Sequence, residues 1–218
     1  MFYQVPKTVW IYRMIHYENL EYVLKNGFHC ATSPLFNPNY IAIGDSGLIK
    51  DRNTYSVPIT PPNSDLGNYI PFYFGMRSPM LLRIKTGDKG VKKYAQEDII
   101  YLCCEVQKVV NSGVEWCFTD GQAKKTTTKF FNTLEDLDKV DWETAHTLDW
   151  KNTDEDFDKM RRKQAEFLVK NYLPADMISA IVVYNEKSLQ KIEKIVQIFA
   201  PSVKILLNLK YTKNNFYY

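Results

Sequence analysis

NYIPFYFGMRSPMLLRI, residues 68–84, carries four aromatic residues in the six positions 69–74, then Arg77-Ser78, then a second apolar run. Ile70 to Phe74 reads as a buried strand, and the apolar run 79–84 as another. Side chains alternate along a strand, so about half of the aromatics point into a core and the rest are left for a ligand. Tyrosines and an arginine crowded where a strand stops suit a flat or anionic partner. The run 69–74 is expected to line a cleft, with Tyr73 and the Arg77-Ser78 turn at its mouth.

Outward from this stretch, residues 8–15 (TVWIYRMI) are rich in β-branched and aromatic residues and read as a first strand. A short helix follows, with Leu20, Val23 and Leu24 on one face and Gly27 as its stop. Residues 97–106 and 113–121 read as strands, and the C-terminal part as strand 180–184, helix 186–200 and strand 202–209. Residues 29–68 form a long irregular stretch, a length that in a compact domain marks a functional loop. The order of elements is α+β with a strand-rich core, and the absence of G-x-G-x-x-G gives no support to a Rossmann dinucleotide site.

The 218 residues suffice for one domain with a sizeable core. Aromatics at 14%, including 15 Tyr, are high, and tyrosine pairs a π face with a hydroxyl. The net charge of +3 is too mild to imply nucleic acid by itself. No apolar stretch approaches a membrane span or a signal peptide, so a cytoplasmic protein is expected. Cys30, Cys103, Cys104 and Cys117 lack C-x-x-C spacing and read as reduced thiols, with Cys103 and Cys104 on opposite faces of a strand. His16, His29 and His146 have no metal-ligand spacing, so no metal is expected. Charge splits abruptly: 121–131 is basic, whereas 135–158 holds ten acids against two lysines and reads as a solvated face that repels DNA.

Four ordered pieces, MIHYENLEYVLKNGF (14–28), AIGDSGLIKDR (42–52), YIPFYFGMRSPML (69–81) and RRKQAEFLVKNYLP (161–174), together with FTDGQA (118–123), resemble the DarT family of DNA ADP-ribosyltransferase toxins. The resemblance implies one domain over 1–218 with an ADP-ribosyltransferase-like split β core and flanking helices. Within it, 29–68 is the NAD-binding loop region and 119–160 holds the substrate-presenting loop and an acidic segment. It implies transfer of ADP-ribose from NAD⁺ to a base of single-stranded DNA, and a DarG-type macrodomain antitoxin as partner. HC at 29–30, AIGDSGLI, YIPFYF with SPML, and FTD with LDKVDW (137–142) resemble the thymidine-modifying branch.

Residue by residue, Glu166 matches the family's catalytic carboxylate at the start of a strand, and Arg52 its second catalytic residue. Bond breaking builds positive charge on the ribose, which a fixed carboxylate stabilises. By itself Glu166 also reads as an exposed helix residue pairing Arg162 at i,i+4. His16 and Asn19 match the NAD-binding segment, and Gly44 a loop that lets backbone approach a ligand. Arg77, Ser78, Lys124, Lys125 and Lys129 are the candidates for contact with DNA, and Phe130-Phe131 offer either a stacking surface or a core anchor. Guanine, RNA or protein as acceptor, and a non-catalytic single-stranded nucleic-acid-binding module, are the competing readings.

Overall fold

The computed structural model describes residues 4–210, 212 and 214–218; the ends of the expected 1–218 domain are therefore described only in part. Strand β1 (Trp10–His16) is followed by helix α1 (Leu20–Asn26), β2 (Phe28–His29), α2 (Ser46–Arg52), β3 (Tyr69–Tyr73) and α3 (Pro79–Thr86). Then come β4 (Ile99–Glu105), α4 (Val106–Asn111), β5 (Trp116–Thr119), β6 (Phe130–Phe131), α5 (Trp142–His146) and α6 (Lys159–Arg162). The chain closes with β7 (Glu166–Lys170), β8 (Tyr172–Leu173), β9 (Ile178–Val183), α7 (Glu186–Phe199) and β10 (Lys204–Leu207).

Eight strands form one sheet in the order β10-β9-β4-β1-β3-β7-β5-β6, while β2 and β8 make a separate two-stranded ribbon. Among the described strands only β10 and β9 pair in parallel, joined through α7. Both faces of the sheet are covered, so inward residues alternate between two cores. Ile11, Ile15, Phe72, Phe167 and Cys104 enter the core under α1 and α7. Tyr12, Met14 and Cys103 enter the other, with Leu81 and Ile84 of α3 and Phe216 and Tyr217 of the C-terminal segment. Cys103 and Cys104 thus part to opposite faces, as their adjacency predicts. Gly27 ends α1 at φ +77°, its N–H bonded to Val23 O at 2.9 Å.

Two sequence expectations change. Residues 79–84 are helical: Ser78 caps α3 with its hydroxyl accepting from the Leu81 N–H, Pro79 occupies the first turn, and Gly87 ends it in the left-handed region. These punctuating residues outweigh the apolar run that read as a strand. The irregular stretch 29–68 also contains α2, a short helix whose contacts lie across the fold.

The sheet is split at its centre. β1 aligns with β4 along its whole length, and β3 with β7 likewise, but β1 and β3 share a single aligned pair, Tyr12 with Tyr73. Pro71, two residues before Tyr73, has no N–H to continue the ladder. Instead Arg13 reaches across, Nη1 donating to Pro71 O at 2.7 Å while its guanidinium lies over the Phe28 ring. Beyond this point the half-sheets part, and the opening between them is the cleft.

Candidate active site

The β3–β7 register sets Glu166 opposite Tyr73 at the edge of the opening. The Glu166 side chain is only 3% exposed, and both carboxylate oxygens are held. Oε1 accepts from the Ala123 N–H at 2.9 Å and Oε2 from Arg52 Nη1 at 3.0 Å. Its own N–H donates to Thr119 Oγ1 at 3.0 Å, and that hydroxyl donates to Gly121 O at 2.7 Å. Helix, loop and neighbouring strand therefore fix Glu166 from three directions, the first two at its carboxylate. The i,i+4 pairing with Arg162 does not form: Arg162 binds Asp156 and Asp141 instead.

Arg52 is the last residue of α2, and Asp51 beside it pairs with Lys124. Two successive residues of one helix thus engage two residues across the opening. Arg52 Nη2 and Arg13 Nε are buried without a hydrogen-bond partner. Buried donors are rarely left unpaired, and both belong to residues lining the cleft, so an acceptor-rich ligand suits them.

The cleft encloses about 180 Å³. Arg13 and Met14 line one side, Tyr73 and Glu166 the other, and Ile43 and Gly44 of the loop before α2 contribute to its wall. Burial raises the Tyr73 phenol above its ordinary range, and the Glu166 charge pushes the same way, so it stays a neutral hydroxyl. A Cβ at Gly44 would meet the Ile49 side chain at 3.5 Å, an ordinary contact distance, so packing alone does not require glycine there.

Of the residues singled out in the sequence, Glu166, Arg52, Tyr73, Gly44 and Lys124 meet in this cleft. His16 and Asn19 do not line it. His16 is buried, its Nδ1 accepting from the Glu18 N–H, and burial holds its imidazole below the ordinary value. Asn19 clasps the wall through both Ile41 groups, Nδ2 to O and N–H to Oδ1, each at 2.9 Å. Ser78 is 1% exposed and committed to capping α3, and Arg77, at φ +53°, lies over the Tyr218 ring at 4.5 Å. Neither lines the cleft at whose mouth the sequence placed them. Only Tyr73 of the four aromatics at 69–74 faces it, where alternation suggested two. Phe131 stacks on Phe118 at 5.2 Å and Phe130 packs into a small core, so the pair anchors β6.

Lys125 and Lys129 lie exposed on the loop between β5 and β6. That loop is closed on Arg161, whose Nη1 donates to Asp120 Oδ1 at 2.8 Å and Thr128 Oγ1 at 3.2 Å. The Gln122 N–H donates to Arg161 O at 3.0 Å. The acidic segment is therefore not simply a solvated face: Asp141, Asp156 and Asp158 are spent on Arg161 and Arg162. Sequence reading passed over Arg13, Asp51 and Arg161. A charge inside an apolar strand flagged the first; nothing local flagged Asp51, whose partner is 73 residues away. Among the described residues no group of His, Cys, Asp and Glu can hold a metal, and no helix is long and apolar enough to cross a membrane.

A family model described as "ssDNA thymidine ADP-ribosyltransferase, DarT" matches residues 12–218. An Escherichia coli protein called DNA ADP-ribosyl transferase is 33% identical over 189 residues, covering 87% of this chain and 86% of that protein. A Thermus sp. 2.9 protein of the same description is 35% identical, covering 89% and 90%. The solved structure of Thermus sp. 2.9 DarT in complex with ADP-ribosylated ssDNA superposes with a TM-score of 0.88 at 30% identity, covering 100% of both chains. The Thermus sp. 2.9 DarT complex with NAD⁺ gives a TM-score of 0.81 at 32% identity, covering 99% and 100%.

Proposed function

The chain belongs to the DarT family and is an NAD-dependent ADP-ribosyltransferase acting on single-stranded DNA, and from that premise we propose how its own residues divide the work. NAD⁺ supplies the ADP-ribosyl group: its C1′–nicotinamide bond breaks with the electron pair going to the ring nitrogen, and positive charge develops on the ribose. Glu166 holds a ribose hydroxyl and stabilises that charge. Its support is the buried carboxylate fixed at both oxygens by Arg52 and Ala123, which needs no reorganisation during reaction. This is the observation that carries the reading.

Arg52 orients Glu166 with Nη1 and offers the unpartnered Nη2 to the cofactor or to the acceptor base, whose N–H proton passes to solvent. A guanidinium, which does not deprotonate in proteins, serves as charge and donor rather than as base. Tyr73 supplies a ring for stacking and a neutral hydroxyl, and Gly44 a stretch of backbone in the wall. Asn19 and His16 support the cofactor from behind, Asn19 through its clasp on Ile41. The cleft is smaller than the about 300–1,000 Å³ of whole-ligand pockets, so it suits the nicotinamide and its sugar rather than the entire dinucleotide.

The acceptor is a ring nitrogen of thymine. In a duplex that N–H is paired and stacked, and exposing it costs a few kcal/mol, about what restricts such an enzyme to single strands. Lys124, Lys125 and Lys129 make the basic edge of the presenting loop, and a DarG-type macrodomain antitoxin is the partner that the family resemblance supports. Labelled NAD⁺ incubated with single-stranded DNA, duplex DNA, RNA and cell protein tests the assignment. Label is expected on single-stranded DNA, and nucleoside mass spectrometry is expected to find it on thymidine. Label on protein alone overturns the acceptor class, and label on guanosine with thymidine untouched overturns the base.

A further inference from the structure

Phe157 is 81% exposed, more than any other large hydrophobic side chain among the described residues. An isolated exposed aromatic is unremarked when it sits on a loose loop. This one sits between two clamped residues. Asp156 Oδ1 and Oδ2 accept from Arg162 Nη1 and Nη2 at 3.0 and 2.6 Å. Asp158 receives Arg161 Nε at both oxygens, 2.8 and 3.1 Å, and Nη2 at 2.8 Å. The Asp156 N–H further donates to Thr153 Oγ1 at 3.1 Å. The backbone is thus fixed on both sides of the ring, and the two nearest acids are neutralised.

The same guanidinium that holds Asp158 holds the presenting loop. Arg161 Nη1 reaches Asp120 Oδ1, and that oxygen also accepts the Lys129 N–H at 3.0 Å. A continuous set of bonds therefore runs from Phe157 through Asp158, Arg161 and Asp120 to Lys129. Further along the loop, Ala123 touches Glu166. Lys125 and Lys129 are exposed and form no ion pair among the described residues. Asp154 and Glu155, also without ion pairs there, keep phosphate away from their part of the loop, so the ring is left to meet a base and the lysines the backbone. Aromatic platforms beside a basic track are the physical requirement for holding single strands.

We propose that Phe157 is a stacking platform for a base flanking the modified nucleotide, with Lys125 and Lys129 meeting the adjoining phosphates. This rests on single-stranded DNA being the substrate, and it adds a contact outside the cleft that sets strand affinity. The test uses Phe157→Ala, Phe157→Leu and Phe157→Trp in the full chain. Dissociation constants for a fluorescent oligothymidine are measured by anisotropy without NAD⁺, and KM for oligonucleotide and for NAD⁺ by label transfer. Alanine and leucine are expected to raise the oligonucleotide Kd and KM about tenfold, tryptophan to match or tighten the parent, and KM for NAD⁺ to stay unchanged. An alanine variant that binds like the parent overturns the proposal, and so does a leucine variant that does, since apolar contact would then suffice. A parent that binds DNA through Phe157 yet transfers nothing to it would sink the acceptor assignment and leave the platform standing.

Discussion

Arg52 Nη1 donates to Glu166 Oε2 at 3.0 Å across 114 residues of sequence, bringing the end of a loop helix onto the first residue of a central strand. Glu166→Ala and Glu166→Gln both lose the anion, and glutamine must also turn its N–H groups toward either Arg52 Nη1 or the Ala123 N–H. Turnover in label transfer is expected to fall about 10²–10³-fold in each, with KM for NAD⁺ changed much less, since the lost interaction belongs to the transition state. Turnover within a factor of two of the parent would remove Glu166 from the chemistry.

Arg52→Lys is expected to recover no more than about a tenth of parental turnover. A point ammonium cannot hold Glu166 and present a second donor from one plane. A fully active lysine variant would reduce the role of Arg52 to positive charge alone.

Asp51 and Lys124 form the second latch of α2, and both are partly exposed. Exposed pairs are worth only about 0.2–1 kcal/mol, so Asp51→Lys or Lys124→Asp alone should slow transfer by about two- to fivefold. The double swap restores the pair with its polarity reversed and should return most of the loss. If the swap is slower than either single variant, Lys124 acts directly on substrate instead.

Arg161 spans the loop that gives Ala123 to Glu166. A Cβ at Gly121 would collide with Arg161 Nη1, a group fixed at several points. Gly121→Ala is expected to lower stability by about 2 kcal/mol and turnover at least tenfold, read by urea unfolding and label transfer. Parental behaviour in both would show that the loop is set by other contacts.

Lys163 is 1% exposed, with Nζ donating to Ala145 O at 2.8 Å and Thr147 O at 2.9 Å. Burial, with the Arg77 charge adding, pushes its ammonium down to about 7. In the unfolded chain it titrates near about 10.4. Below the lower value both states carry the proton and the cost of burying it is fully felt. Between the two values the unfolded chain binds more protons, so stability rises with pH by up to about 1.4 kcal/mol per unit. Urea unfolding at pH 7 and pH 9 should show this rise in the parent and a flatter response in Lys163→Met. Equal slopes would refute the buried charge.

The strands β1, β4 and β7, the closing of α1 at Gly27 and the place of Glu166 at the start of a strand were legible because each rests on local pattern: β-branched runs, a left-handed glycine, an apolar run behind a single charge. Pro79 to Thr86 misled because its apolar content suits either element and only Ser78, Pro79 and Gly87 disclose a helix. Ser78 carries the same ambiguity: a residue that caps a helix looks, in one dimension, like a residue free to bind. Arg13 bridging to Pro71, Asp51 to Lys124 and Arg161 to Asp120 join segments 58, 73 and 41 residues apart, and no short pattern encodes such distances.

The single aligned pair between β1 and β3, with Arg13 reaching Pro71 O beside it, leaves little ladder joining the two half-sheets at that seam. A molecule seated between Arg13 and Met14 on one side and Tyr73 and Glu166 on the other would serve as the missing rung of that ladder. Cofactor then becomes a reversible cross-link, and melting temperature becomes a readout of occupancy: saturation at about 100 times Kd adds about 2.7 kcal/mol of stability. The gain should register as slowed amide exchange along the facing edges of β1 and β3, where the ladder is otherwise incomplete.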